Sequence, residues 1–217
     1  MKNKIIMMMM ILFAVSGAFA QQATIRDLSG TVEIMRPGSQ AWAAASKGQA
    51  LTNDTTISTG FRSTALIAAG SSLITVRPLT RLTLSELIAS AGTETLNVSL
   101  QAGRVRVDVS PPAGTRASMN VRGPTATASV RGTVFEFDGS NLTVIEGTVE
   151  FTGSSGPGVL IDAGRRSFTD EATGRAEPPS GLVIAELRPE SPVGSDPVLP
   201  VNKPDGGGVG LFITIKF

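Results

Sequence analysis

The side chains that could do chemistry are few and scattered. Five carboxylates, Glu33, Glu136, Asp138, Glu146 and Glu150, fall on or beside segments of alternating polarity. Paired carboxylates can hydrolyse glycosides without histidine. Here they occupy the polar positions of the alternation, as expected of a solvated strand face, and no enzymatic activity is expected. Asp138 and Asn141 carry oxygens that suit calcium, yet Asp138-Gly139-Ser140-Asn141 between Phe137 and Leu142 reads more simply as a hairpin turn. No metal site and no cofactor is expected. Three residues are candidates for binding: Arg131, Thr59 and Trp42. Arg131 sits where a strand bends at Gly132, and is read as bridging two loops, with ligand binding as the alternative. Thr59 belongs to Asp54-Thr55-Thr56-Ile57-Ser58-Thr59-Gly60, whose aspartate and threonines can bond neighbouring amides and whose glycine tolerates positive φ; a tight bend is expected there, or else a binding loop. Trp42, the one tryptophan, is expected to anchor the core under the first hairpin, with ligand stacking as the alternative.

What is missing narrows the chemistry further. The 217 residues include no histidine, no cysteine and no tyrosine. Nucleophile systems that rely on imidazole are therefore excluded, as are the usual zinc, haem and iron–sulfur sites. Disulfides cannot form, so the fold must rest on its core. Nineteen basic residues against eighteen acidic ones argue against a nucleic-acid partner.

The elements that would position these residues are short strands. Residues 1–20 come first as an address: Lys2 and Lys4, an apolar run from Ile5 to Val15, then Ala18-Phe19-Ala20. This reads as a secretory signal peptide cleaved after Ala20, leaving a product with no transmembrane helix, in the periplasm or at the cell surface. Removing Lys2 and Lys4 leaves seventeen basic residues against eighteen acidic, a net charge of −1. From Thr24 to Thr169 the polarity has period two, as in Arg104–Val109, Thr133–Phe137 and Thr148–Phe151, which marks strands with one buried face. Further strands are expected at Thr31–Ile34, Ala65–Ala68, Leu73–Arg77, Arg81–Glu86, Thr95–Gln101, Met119–Arg122, Thr143–Glu146 and Val159–Asp162. Leu82–Ala91 comes nearest to a helical pattern. The fold class is all-β, many short strands in a sandwich or irregular β-solenoid, with a Pro-rich C-terminal tail. The all-β domain is expected over 21–175 and a Pro/Gly-rich linker over 176–208, where seven of the thirteen prolines fall. A last strand is expected over 209–217, with Leu211, Ile213, Ile215 and Phe217 on one face. Glycines open several strands: Gly30, Gly103, Gly132 and Gly147, with Gly60 at the expected bend.

Taken in order, these motifs resemble the FecR domain family. They run from Gly30-Thr31-Val32-Glu33 and Trp42 through Gly48-Gln49-Ala50-Leu51, Asp54, Ile57 and Ser58-Thr59-Gly60. Gly70-Ser71-Ser72-Leu73 follows, then Gly103, Val130-Arg131-Gly132-Thr133, Gly147 and Gly164. The resemblance spans about Leu28 to Phe168. It implies a secreted, non-catalytic all-β domain. In the best-known members a cytoplasmic sigma-regulating segment and one membrane helix precede the FecR domain, which receives a signal from an outer-membrane transporter. This chain departs from that plan at its start, where a signal peptide stands. The expectation is a non-catalytic extracytoplasmic binding module for an envelope protein or a cell-wall glycan. The alternatives are a periplasmic signalling component of a transporter/sigma-regulator system, or a surface-assembly protein acting through its last strand.

Overall fold

The computed structural model describes residues 23–90 and 92–181, all of it strand, turn and loop. The expected signal peptide (1–20) and last strand (209–217) lie outside the described residues, as does most of the expected linker (176–208). The first nine strands are β1 (Ala23–Ser29), β2 (Val32–Met35), β3 (Trp42–Ala44), β4 (Ala50–Leu51), β5 (Thr55–Thr59), β6 (Thr64–Ala69), β7 (Ser72–Val76), β8 (Arg81–Ser90) and β9 (Thr93–Ala102). The second nine are β10 (Val105–Val109), β11 (Arg116–Arg122), β12 (Ala126–Val130), β13 (Val134–Phe137), β14 (Asn141–Glu146), β15 (Thr148–Gly153), β16 (Val159–Asp162), β17 (Arg165–Phe168) and β18 (Ser180–Gly181).

They form two nine-stranded sheets. One has the order β4-β1-β6-β7-β10-β13-β14-β17-β18, the other β3-β2-β5-β8-β9-β11-β12-β15-β16. From β5 onward the chain deals strands to the sheets in turn, advancing along both. The result is a sandwich in cross-section and a solenoid in its path. Most visits to a sheet use a pair of strands, which returns the chain to the end it left, so the next strand in the other sheet runs antiparallel to its neighbour. After β5, itself a single-strand visit, β10 is the one described strand that makes its visit alone. The chain crosses to the far end, and β11 therefore runs parallel to β9, with Arg116 opposite Thr93 and Arg122 opposite Ser99.

Alternation fills the space between the sheets. β10 buries Val105, Val107 and Val109, and β12 buries Ala126, Ala128 and Val130. Phe137 of one sheet meets Phe151 of the other edge to face, with ring centroids 6.1 Å apart. The four outermost strands are only two to four residues long, which limits the open edge offered to other chains.

Two segments differ from expectation. Leu82–Ala91 is strand as far as Ser90, with no helix. The register shifts between Leu84 and Glu86, so the inward residues Leu82, Leu84 and Leu87 are spaced by two and then three; that spacing is what looked helical. Asp54–Gly60 is not a tight bend. Thr55–Thr59 is an internal strand of the second sheet, with Thr55, Thr56, Ile57 and Thr59 buried. Its hydroxyls bond across elements, as in Thr56 Oγ1 to Thr83 Oγ1 at 2.8 Å. The left-handed residues flank the strand at Asp54 (φ 60) and Arg62 (φ 53), and Gly60 is not one of them.

Because Phe151 is fully buried between the sheets, Phe151→Ala is expected to cost about 3–5 kcal/mol. Urea unfolding measures this; a loss near zero would contradict the two-sheet core.

Candidate functional site

The strand directions gather four connections at one end of the sandwich: Gly30-Thr31, Gly60–Ser63, Arg77–Thr80 and Gly103-Arg104. Three buried hydroxyls tie them together. Thr59 Oγ1 donates to the Arg77 carbonyl at 2.6 Å and accepts from the Thr80 amide at 3.0 Å. Thr80 Oγ1 accepts from the Arg104 amide at 2.9 Å and donates to the Arg104 carbonyl at 3.1 Å. Ser63 Oγ accepts from the Thr31 amide at 2.8 Å and donates to the Phe61 carbonyl at 3.0 Å. Backbone bonds run alongside, from the Gly60 amide to the Thr31 carbonyl and from the Leu79 amide to the Gly60 carbonyl. Each hydroxyl thus satisfies a buried backbone group that would otherwise cost about 1–3 kcal/mol.

Two of the expected structural glycines are needed here for space as well as for conformation. Gly103 has φ +88, and a Cβ on it would stand 2.3 Å from Thr80 Oγ1 and 2.5 Å from Thr80 Cα. A Cβ on Gly30 (φ +74) would stand 2.4 Å from Ser63 Oγ.

This clamp presents two large apolar side chains to solvent: Phe61, 73% exposed, and Leu79, 63% exposed. Leu79 (φ 56) and, in the adjoining connection, Arg62 (φ 53) are held in the left-handed region, which costs a residue with a Cβ about 1–2 kcal/mol. Strain of this kind persists only where the surroundings enforce it, and it concentrates at functional sites. The Arg62 guanidinium lies over the Phe61 ring at 5.4 Å, and Arg81, which follows Thr80, lies over the Trp42 ring at 5.3 Å. Among the described residues neither of these two guanidinium groups has a carboxylate partner. Beside them, Arg77 pairs with Glu136 at 2.7 Å, and Arg104 with Asp138 at 3.7 Å.

The structure separates the three candidate binding residues. Thr59 is buried beneath the exposed pair and positions it. Trp42 is not a core anchor: it lies half-buried on the edge strand β3, outside the buried cluster, one ring face covered by Arg81. Arg131 follows β12 and so lies at the opposite end, exposed and without a partner among the described residues; it bridges no loops. Gly132 and Gly147 meet at that far end, where a Cβ on Gly147 would stand 2.9 Å from the Gly132 carbonyl oxygen. Asp138 closes the expected hairpin turn, its Oδ1 accepting from the Ser140 and Asn141 amides at 3.1 and 2.8 Å. Among the described residues no three His, Cys, Asp or Glu gather as a metal would require. Asp170 closes a separate turn, and the Thr173 amide and hydroxyl bonded to it hold its carboxyl below the usual range. Phe61 and Leu79 went unnoticed in the sequence. The available signal was a large apolar residue directly after Gly60 and another directly after Pro78, both at turn positions.

Residues 55–150 match the family model described as FecR protein. The matched segment runs from β5 into β15 and contains the exposed pair. It is narrower than the 28–168 span of the motif resemblance. Two crystal structures from Parabacteroides distasonis ATCC 8503, provisionally described as an anti-sigma factor, are similar to the chain. One aligns at 14% identity with a TM-score of 0.48, covering 60% of this chain and 60% of that one. The other aligns at 11% identity with a TM-score of 0.46, covering 58% and 59%. The chain thus spans about three fifths of the length of the solved chains it matches. No curated protein matches it significantly.

Thr59→Val removes the acceptor of the Thr80 amide and the donor to the Arg77 carbonyl, and is expected to lower stability by about 1–3 kcal/mol. Gly103→Ala is expected to lose at least as much, from backbone strain and the collision with Thr80. Leu79→Gly should do the reverse. It releases about 1–2 kcal/mol of left-handed strain, against about 0.5–1 kcal/mol of added chain entropy on unfolding. Thermal unfolding of the three variants tests the set; a fall in Tm for Leu79→Gly matching that for Thr59→Val would contradict the strained, solvent-facing placement of Leu79.

Proposed function

We propose that this chain, which carries a FecR domain over residues 55–150, is a non-catalytic, extracytoplasmic signal-receiving component of a transporter/sigma-regulator system. On this reading it works by binding another envelope protein through the clamped end that carries Phe61 and Leu79. The signal-peptide pattern of residues 1–20 supports a periplasmic or surface location. The observation that carries the binding end is the exposed apolar pair itself, fixed on a strained backbone by buried hydroxyls. Aromatic and arginine side chains held rigid at a surface are the usual anchors of protein interfaces.

A protein partner fits this surface better than a cell-wall glycan. The large side chains most open to solvent at this end are Phe61 and Leu79, an apolar pair suited to a protein surface, whereas Trp42 is half-buried with Arg81 over its ring. The polar carboxylates add no acid–base pair: Glu136 and Asp138 are engaged with arginines, and Glu33, Glu146 and Glu150 are exposed on strand faces.

A photo-crosslinking residue placed at position 61 in living cells tests the reading. The expected product joins the chain to an envelope signalling or transport protein, and the adduct disappears when the crosslinker is moved to position 131. Recovery of glycan adducts alone, or of equal adducts from both positions, would overturn it.

A further inference from the structure

The clamped end carries information about what it binds, and this inference rests on the reading that its partner is a protein. We propose that the end formed by Phe61, Leu79, Arg62 and Arg81 receives an extended peptide segment with an apolar anchor flanked by carboxylates.

Charge is the first ground. Of the four arginines around this end, Arg77 and Arg104 are answered by Glu136 and Asp138. Arg62 and Arg81 have no carboxylate partner among the described residues. Glu33, which shares a row with Ser58 and Arg81 across the sheet, forms no ion pair with Arg81. Two exposed cations therefore lack a carboxylate partner among the described residues, and an acidic segment complements them.

Geometry is the second. A guanidinium held over an aromatic ring is restrained by a cation–π contact. An arginine so held, with no carboxylate of its own, can still offer its N–H fork to a carboxylate in bidentate fashion. The two described pairs place the Arg62 guanidinium carbon 5.4 Å from the Phe61 ring centroid and that of Arg81 5.3 Å from the Trp42 centroid. They belong to two neighbouring connections: Arg62 follows Phe61 in one, and Arg81 opens the strand after Leu79 and buried Thr80 in the other, its guanidinium reaching the Trp42 ring on β3. Less side-chain entropy remains to be lost on binding than for a free surface arginine.

Third, the apolar pair supplies the anchor contact. Phe61 and Leu79 protrude from two connections joined by the Leu79-to-Gly60 backbone bond at 3.2 Å, so both apolar side chains are offered at one end of the sandwich. An apolar side chain of the partner would lie against them, with its carboxylates reaching Arg62 and Arg81.

Trp42 supplies a direct readout, because the chain has no second tryptophan and no tyrosine. Full-length chain is titrated with the synthetic peptide Asp-Leu-Phe-Asp and longer-spaced versions, and with the same peptides carrying Lys for Asp. Trp42 emission and calorimetry are followed in parallel. The acidic series is expected to bind saturably, more weakly as salt rises, and the Lys series not to bind. Arg62→Glu with Arg81→Glu, and separately Phe61→Ser with Leu79→Ser, are each expected to weaken binding about tenfold or more. Arg131→Glu, at the far end, should leave it unchanged. All four tip side chains are at the surface, and retained Tm values confirm that the variants fold.

Equal binding of acidic and basic peptides would overturn the proposal, as would tip variants that bind like the unsubstituted chain. So would a chain that ignores all peptides but binds phosphatidylglycerol vesicles through Phe61 and Leu79, which would make the end a membrane contact. Concentration-dependent self-association abolished by Phe61→Ser would likewise replace the peptide with a second copy. Peptide binding that persists while crosslinking from position 61 finds no signalling protein would defeat the proposed function and leave this site standing. A crosslinked signalling protein whose contact segment lacks carboxylates would do the opposite.

Discussion

The described fold depends on one dry interior shared by two sheets. With no cysteine to crosslink it, the molecule is held by what each strand can bury, and a short strand has only its inward side to offer. Fully buried Ile25, Ile57, Ile74, Val107, Phe135 and Phe151 come from both sheets and from nearly the whole described length. Neither sheet could keep these residues dry alone. The zigzag of the chain is the means by which consecutive stretches are supplied to both sides of that interior in step.

The ends of the sandwich face a different problem. Each time the chain crosses from one sheet to the other, its backbone amides and carbonyls leave the ladder while still partly shielded from water. At the end built from Gly60–Ser63 and Arg77–Thr80, side-chain hydroxyls of Thr59, Thr80 and Ser63 solve it. That solution fixes the connections firmly enough to hold Arg62 and Leu79 in conformations they would leave if free. Rigidity that begins as a way to satisfy buried polar groups thereby sets exposed groups in place for binding.

How much of this was legible in the sequence follows from what is local and what is not. Strands such as Val105–Val109 and Thr148–Gly153 were readable because alternation is decided by nearest neighbours. β8 was obscured by one bulge, which shifts the inward register from Leu84 to Leu87 and mimics helical spacing. β5 was obscured because its core-facing residues include threonines, whose hydroxyls are as suited to a bend as to bonding across a sheet. Trp42 was misplaced because the size of a side chain says what burial would gain and not whether its strand lies at an edge. The meeting of Phe61 with Leu79, and the separation of Thr59 from Arg131, depend on strand order and direction, which no local pattern records. The glycines were recognised as structural; what each one makes room for, such as Thr80 against Gly103, needed the fold.

The lone crossing of β10 has a consequence for how such a chain can lengthen or shorten over time. Strand direction behaves as a parity. Inserting or deleting a two-strand visit leaves every later strand pointing as before, so the modules on either side still fit. Inserting or deleting a one-strand visit reverses everything downstream, exchanging the two ends of the sandwich for all later connections. β10 is one such reversal. It is the reason that Asp138, well beyond β10, turns at the same end as Arg104 and pairs with it, while Arg131 is carried to the other.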